Sequence, residues 1–430
     1  MKQERIDALK HILEESGCIA WEITDTAEEG WEFYLIGRKL DQHRVRHVNH
    51  VSVRVFAKAQ EAGKVGTASG EIAPMADDGE MHRAVSDLMA AAPYALNPVW
   101  KLNLPKPAPE AGTSPDPDVE AIASDFLRTI RDLPEDSRAG VNSSEVFVTR
   151  VTKRFLNSEG VDVSDTYPVS MAEVIINARD ETHEIELYRM LDSGTCDAEK
   201  VRTQLTDAMR YGKDKLVAQP TPYVQTMDLV LSTDAALEVY NWYIAHLNTA
   251  YKYQGYSDWE IGKPVAEDAD GDHVTITARR QLPNSSANCR FDNEGAWKQD
   301  LVLMSGNVPC AFWGPRQFAQ YLGLEDTFNA TNFEVTGGTS GPEALRTGEY
   351  LEVVEFSSFQ VDDVSGDLAG EIRLGYLHRG GETVIVSGGS VSGNMSDAVR
   401  RIRFSKESAQ YDSMLIPAVT RIGGISVTGA

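Results

Sequence analysis

At 430 residues, with 42% hydrophobic and 25% charged content, the chain has the make-up of a folded globular protein, long enough for two domains of roughly 200 residues each. That composition excludes disordered and fibrous classes. A net charge of −24, from 65 acidic against 41 basic residues, repels phosphate backbones and argues against a nucleic-acid partner.

The N-terminal segment predicts an amphipathic helix with Ile6, Leu9, Ile12 and Leu13 on one face. It has no apolar core or cleavage site of a secretory leader, and no apolar run in the chain nears the ~18 residues that cross a bilayer. Cys18, Cys196, Cys289 and Cys310 form no C-x-x-C pair, which suits a reducing compartment. The expectation is a cytoplasmic protein without membrane contact.

Further on, Trp31 to Ile36 and the alternating Val51, Val53 and Val55 predict strands. Asp78 to Ala92 and Asp118 to Leu133 carry helical spacing, the second with Asp118 as N-cap. The proline-rich stretch Leu104 to Asp118 between them reads as a surface loop. Glu145 to Leu156 and Val169 to Ala178 are long strand-like runs, and Asn157 to Gly160 is the turn after the first. A charged helix, Ala198 to Leu216, closes the first half, and the prolines of Gln219 to Pro222 mark a boundary. Then come a short strand, Met227 to Leu231, and an aromatic-rich helix, Ala235 to Lys252. Strands at Val274 to Ala278, Tyr350 to Phe359, Thr383 to Ser387 and Ile425 to Thr428 alternate with Gly-rich turns. The expected fold is α+β in two domains. Residues 1–218 form an N-terminal α/β domain with an antiparallel sheet and helices; residues 219–430 form a β-rich domain.

Local constellations yield little chemistry. His183-Glu184 lacks the second histidine one helical turn on that a zincin needs, since Leu187 and Tyr188 stand there, so it reads as a hairpin-edge histidine. His43, His47 and His50 have spacing that a helix would gather. Their valine-rich flanks instead predict a loop entering a strand, which scatters the rings on the surface. The runs Thr336 to Pro342 and Gly388 to Gly393 lack the lysine of a phosphate-binding loop and read as turns. Cys310 is expected as a buried, inert thiol. Arg400, Arg401 and Arg403 form the densest basic cluster and read as a solvated helix end.

The run Leu156 to Gly160, the block Arg290 to Gly295, the stretch Gly388 to Met395 and the apolar end Pro417 to Gly429 carry a likeness to a known family. In this order they resemble the TldD/TldE (PmbA) metallopeptidase family over nearly the whole chain. The carried-over motif residues are Asn157, Ser158, Glu159 and Gly160, with Arg290, Asp292, Glu294 and Gly295. In the catalytic TldD members a helix early in the second domain bears H-E-x-x-x-H, and a downstream cysteine completes a zinc site. On the matching helix here, Asn241 stands for the first histidine, Trp242 for the glutamate, and only His246 is kept. No cysteine follows Cys310. A single imidazole does not hold zinc, and without the glutamate no water is activated.

The resemblance is therefore to the TldE side. It implies a non-catalytic subunit that pairs with a TldD-like zinc peptidase in cutting or maturing unfolded peptides, with zinc on the partner and no cofactor on this chain. Extended peptides would be held by backbone pairing to a strand edge. Tyr350 to Phe359 is the candidate edge, and an ordinary interior strand is the competing reading. Two other functions stay open: a stand-alone homodimeric peptide-binding protein, and an enzyme in which His246 recruits Asp272 or His273.

Overall fold

The computed structural model describes residues 1–109, 116–324 and 327–430, so 110–115 of the proline-rich loop lie outside the described residues. The first half opens with α1 (Gln3–Glu15), β1 (Ala20–Ile36), β2 (Lys39–Lys58), β3 (Lys64–Ile72), α2 (Asp78–Ala91) and β4 (Leu96–Pro98). It continues with α3 (Val119–Arg131), β5 (Ala139–Asn157), β6 (Asp162–Arg179), β7 (Glu184–Ser193) and α4 (Ala198–Lys215). The strands form one sheet in the order β4-β3-β2-β1-β5-β6-β7, each pair antiparallel. The predicted strands are fragments of these longer ones, because polar residues in mid-strand break the apolar signal where one face is open to solvent.

Sequence chemistry sets the helix starts. Asp77 and Glu80 form a reciprocal capping box on α2. Asp118 accepts from Ala121 N–H at 3.0 Å on α3, and Asp197 caps α4. Ile6, Leu9, Ile12 and Leu13 are buried against Trp21, Ile23 and the valines of β2. The helices α3 and α4 cover Val146, Val148, Val174 and Ile176. The opposite parity of β5 and β6 presents Phe155, Val163 and Tyr167 to the second half, where they pack with Cys289, Phe291 and Trp297.

The second half runs β8 (Gln219–Pro220), β9 (Val224–Leu231), α5 (Ala236–His246), α6 (Thr249–Gln254), β10 (Thr275–Arg279), β11 (Leu301–Ser305), β12 (Val308–Pro309) and α7 (Arg316–Tyr321). Next are β13 (Asn332–Thr336), β14 (Tyr350–Val361), β15 (Asp367–Arg379), β16 (Glu382–Ser387), β17 (Ser390–Asn394) and α8 (Met395–Ala398). Last come β18 (Arg403–Phe404), β19 (Ser408–Tyr411), β20 (Met414–Pro417) and β21 (Thr420–Thr428). One sheet follows β12-β11-β10-β13-β20-β19, and the other β14-β9-β21-β17-β15-β16-β8. In the second, β14 also pairs with β15, so the path β14-β9-β21-β17-β15 returns on itself as a ring. The α+β class in two domains, with the β-rich one second, is what the sequence predicts.

Three local expectations are corrected. The stretch Tyr350 to Phe359 pairs with β15 along its length and with β9 at Leu351 and Glu352, so it is not an edge throughout but an interior strand at its start. The helix expected over Ala235 to Lys252 is two helices. Asn248 is extended there and its side chain accepts from Ala250 N–H at 2.8 Å, capping the second helix and ending the first. Cys310 is exposed at the end of the two-residue β12, and the buried thiol is Cys289. No helix among the described residues is long and apolar enough to cross a membrane.

Candidate functional site

Two places gather the singled-out residues. The first is the seam between the halves. Asn157, only 3% exposed at the end of β5, accepts from the N–H groups of Glu159 and Val161, each at 3.0 Å, and so closes the turn. Its Nδ2 donates to Asn103 O at 2.9 Å, and Asn103 Nδ2 donates on to Glu294 O at 2.9 Å. Ser158 ties the turn to Trp21 through its N–H and through its Oγ, which accepts from Trp21 N–H. Gly160 has φ +93°, which a side chain resists. The exposed Glu159 lines an apolar cleft with Trp100 and Arg316.

The block Arg290 to Gly295 meets this turn from the other side. Arg290 donates from its backbone and from Nε to the buried Asp165, both at 2.8 Å. Asp292 is buried and accepts three backbone N–H groups: Glu294 at 2.8 Å, Ala296 at 2.9 Å and Asn329 at 2.7 Å. Glu294 accepts from Arg316 N–H at 2.8 Å, and burial raises its pKa. Gly295 has φ +74°, and a Cβ there would lie 2.5 Å from Phe155 Cδ1 and 2.9 Å from Val161 Cγ1.

Nearby on β1, Glu22 faces Arg54 at 3.6 Å. Burial pushes Glu22 up to about 7, against the pull of Arg54 and helped by the charges of Glu294 and Asp292. The bonds from Arg290 to Asp165 and from Asn103 to Glu294 O cross between the halves, while Asn157, Asp292 and Glu294 accept backbone N–H groups within their own half.

The second place is α5. Asn241 is exposed, while Trp242 and His246 are each 6% exposed. The His246 ring lies on Trp242 at 4.5 Å between centroids and meets Trp259 edge-on at 4.9 Å. Tyr243 closes on Trp242 at 5.1 Å. Ser257 Oγ donates to His246 O at 2.7 Å and so draws the Trp259 segment over the helix end. Among the described residues His246 Nδ1, Trp242 Nε1 and Tyr243 OH are buried with no hydrogen-bond partner. Burial lowers the His246 pKa to about 4, opposed by the Asp258 carboxylate, so the ring is neutral near pH 7.

These residues do not fit zinc. The one imidazole is enclosed by indoles, and no group of three or more His, Cys, Asp or Glu side chains among the described residues could hold a metal ion. Asp272, considered as a helper for His246, instead accepts from Phe404 N–H at 2.9 Å.

The remaining candidates do not converge. His43 stacks beside Trp31 and Phe33, His47 faces Glu29, and His50 points to the opposite side of β2 toward Glu71. His183 sits in the turn held by Asp180. At Gly337 and Gly338 a Cβ would meet carbonyl oxygens of His273 and Phe404 at 2.0 and 2.1 Å, so these glycines allow close backbone packing. Sequence reasoning missed Glu22, Asn103, Asp165, Trp259 and Asn329. Each stands alone in its own segment, with no motif to mark it.

Comparison with known proteins bears on the fold. Residues 224–429 match the family described as the PmbA/TldA metallopeptidase C-terminal domain. An uncharacterized protein of Methanocaldococcus jannaschii is 24% identical over 325 residues, covering 72% of this chain and 75% of that protein. Among solved structures, the chain is similar to a Thermotoga maritima protein described as a candidate DNA gyrase modulator. The TM-score is 0.79 at 16% identity, over 99% of this chain and 100% of that one. TldE from Thermococcus kodakarensis matches with a TM-score of 0.77 at 15% identity, over 98% and 100%. A Bacteroides thetaiotaomicron protein, also described as a candidate gyrase modulator, matches with 0.77 at 16%, over 100% of each chain. At these identities the structural likeness speaks for the fold alone.

Proposed function

We propose that the chain, whose residues 224–429 match the PmbA/TldA metallopeptidase C-terminal domain, is a TldE-like, non-catalytic subunit. Its partner is a TldD-like zinc peptidase, and together they cut or mature unfolded peptides in the cytoplasm. The observation that carries this reading is the aromatic nest on α5. Where a zinc helix needs two imidazoles and a carboxylate, this one has an exposed Asn241, a buried Trp242, and a His246 held neutral between indoles. The chain binds no zinc of its own in this reading, and the metal belongs to the partner. DNA has no part in it, because a net charge of −24 opposes contact with a phosphate backbone.

The test is to capture the tagged full-length chain from its native lysate and identify what co-elutes. A partner of similar mass carrying H-E-x-x-x-H, near one to one, is the expected result. Recovery of the chain alone as a stable homodimer would overturn the partnered role and favour a stand-alone peptide-binding protein.

A further inference from the structure

The basic cluster Arg400, Arg401 and Arg403 divides in the fold. Arg400 pairs with Asp268. Arg401 and Arg403 instead join Arg421 of β21 around a cleft of about 310 Å³, with Asp228 of β9 and the turn at Leu345 and Thr347 as its other walls.

Arg421 is the fixed member. Its side chain is 17% exposed, Nε and Nη2 both lie 2.7 Å from Asp228 Oδ2, and Nη1 donates to the carbonyls of Leu345 and Thr347. Asp228 is thereby already neutralised. Arg403 donates Nη2 to a neutral acceptor, Asp270 O, at 2.8 Å. Among the described residues the Arg401 side chain has no ion-pair or hydrogen-bond partner, its backbone N–H donating to Ala398 O at 2.9 Å. Its side chain runs along the bulge where β21 slips register against β9: a Cβ on Gly423 would stand 3.6 Å from Arg401 Cβ, and one on Gly424 3.1 Å from Arg401 Nη1. Three guanidiniums thus face one carboxylate, a local charge of +2 (three minus one) in a chain whose net charge is −24. With carboxylates so abundant, two arginines converging on one cleft without one is the opposite of what composition favours.

The geometry points to this cleft as a binding site for the carboxylate at the C-terminal end of a peptide, an inference that rests on the peptide-handling reading above. Guanidinium forks match a planar two-oxygen acceptor. A cleft at the small end of the usual ligand range, roughly 300–1,000 Å³, suits one terminal residue rather than a nucleotide. Its walls are mainly polar side chains and turn backbone, so charge rather than side-chain shape sets the selectivity.

The experiment is calorimetric titration of the full-length chain with N-acetyl-alanyl-alanine, its C-terminal amide, and inorganic phosphate. The same titrations are run on the Arg401→Gln/Arg403→Gln variant. Both arginines are exposed, so the variant should keep the parent's unfolding midpoint. The expected result is that the acid binds, the amide binds at least about tenfold more weakly, and the variant loses that difference. Equal binding of acid and amide, no binding of the acid, phosphate binding tighter than the acid, or an unchanged preference in the variant would each overturn the assignment. None of these results bears on co-purification of a zinc-peptidase partner, so the two proposals fail separately.

Discussion

The seam and the α5 nest are both buried and both built from residues with a family likeness, yet their polar atoms are treated in opposite ways. At the seam, Asp292 and Asn157 have their oxygens bonded to backbone N–H groups on two or three sides. In the nest, three polar atoms of Trp242, Tyr243 and His246 have no partner among the described residues, and aromatic contact supplies the cohesion. A bonded buried carboxylate organises a loop and is costly to remove. An unbonded buried imidazole contributes packing and little else. The contrast separates residues whose polar atoms organise the backbone from residues that contribute packing.

The sharpest way to break that contrast is Asp292→Ala. It strips three backbone donors of their acceptor and should destabilise the chain by about 3 kcal/mol or more in denaturant unfolding. A loss under about 1 kcal/mol would mean that these three bonds do not hold the Arg290 to Gly295 block together. Gly295→Ala comes next. Its Cβ would collide with Phe155 on a backbone at φ +74°, with an expected cost of about 1–3 kcal/mol.

His246→Phe should change stability by less than about 1 kcal/mol, since the ring is kept and an unpartnered nitrogen is removed. It should also leave the peptidase turnover of an assembled complex unchanged; a large loss of turnover would restore a chemical role to His246.

The two regions also pull stability in opposite directions with pH. The folded-state pKa of Glu22 is raised from 4.5 to about 7, so its contribution is complete at low pH and fades as pH rises through that window. That of His246 is lowered from 6.5 to about 4, so its contribution is complete above 6.5 and is lost as pH falls through that range. Between pH 4.5 and 6.5 the two slopes oppose each other. Glu22→Gln should make unfolding free energy rise more steeply with pH, and His246→Phe should tilt it downward. Identical slopes in both variants would contradict this assignment of the charges.

Much of the first half is legible in the sequence. Its helices announce themselves by the spacing of Ile6, Leu9, Ile12 and Leu13 and by the cap at Asp118, signals that act over three or four residues. That residues 241–246 read Asn-Trp-Tyr-Ile-Ala-His, with one imidazole, is likewise legible in the sequence. The length of β1 and β2 was harder to read, because their outer halves carry charged residues on a solvated face. The break at Asn248 could have been read from its capping preference, but the aromatic run on either side masked it.

What the sequence by itself determined is local: where helices begin and which faces are apolar. Tertiary structure alone brought Asn157 to Glu294 through Asn103, closed β14 onto β15, laid Trp259 over His246, and parted Arg400 from Arg401 and Arg403. The reason is one of range. Periodicity and capping are set by neighbours a few residues away, whereas these contacts depend on how whole sheets pack, and no short stretch of the chain encodes that.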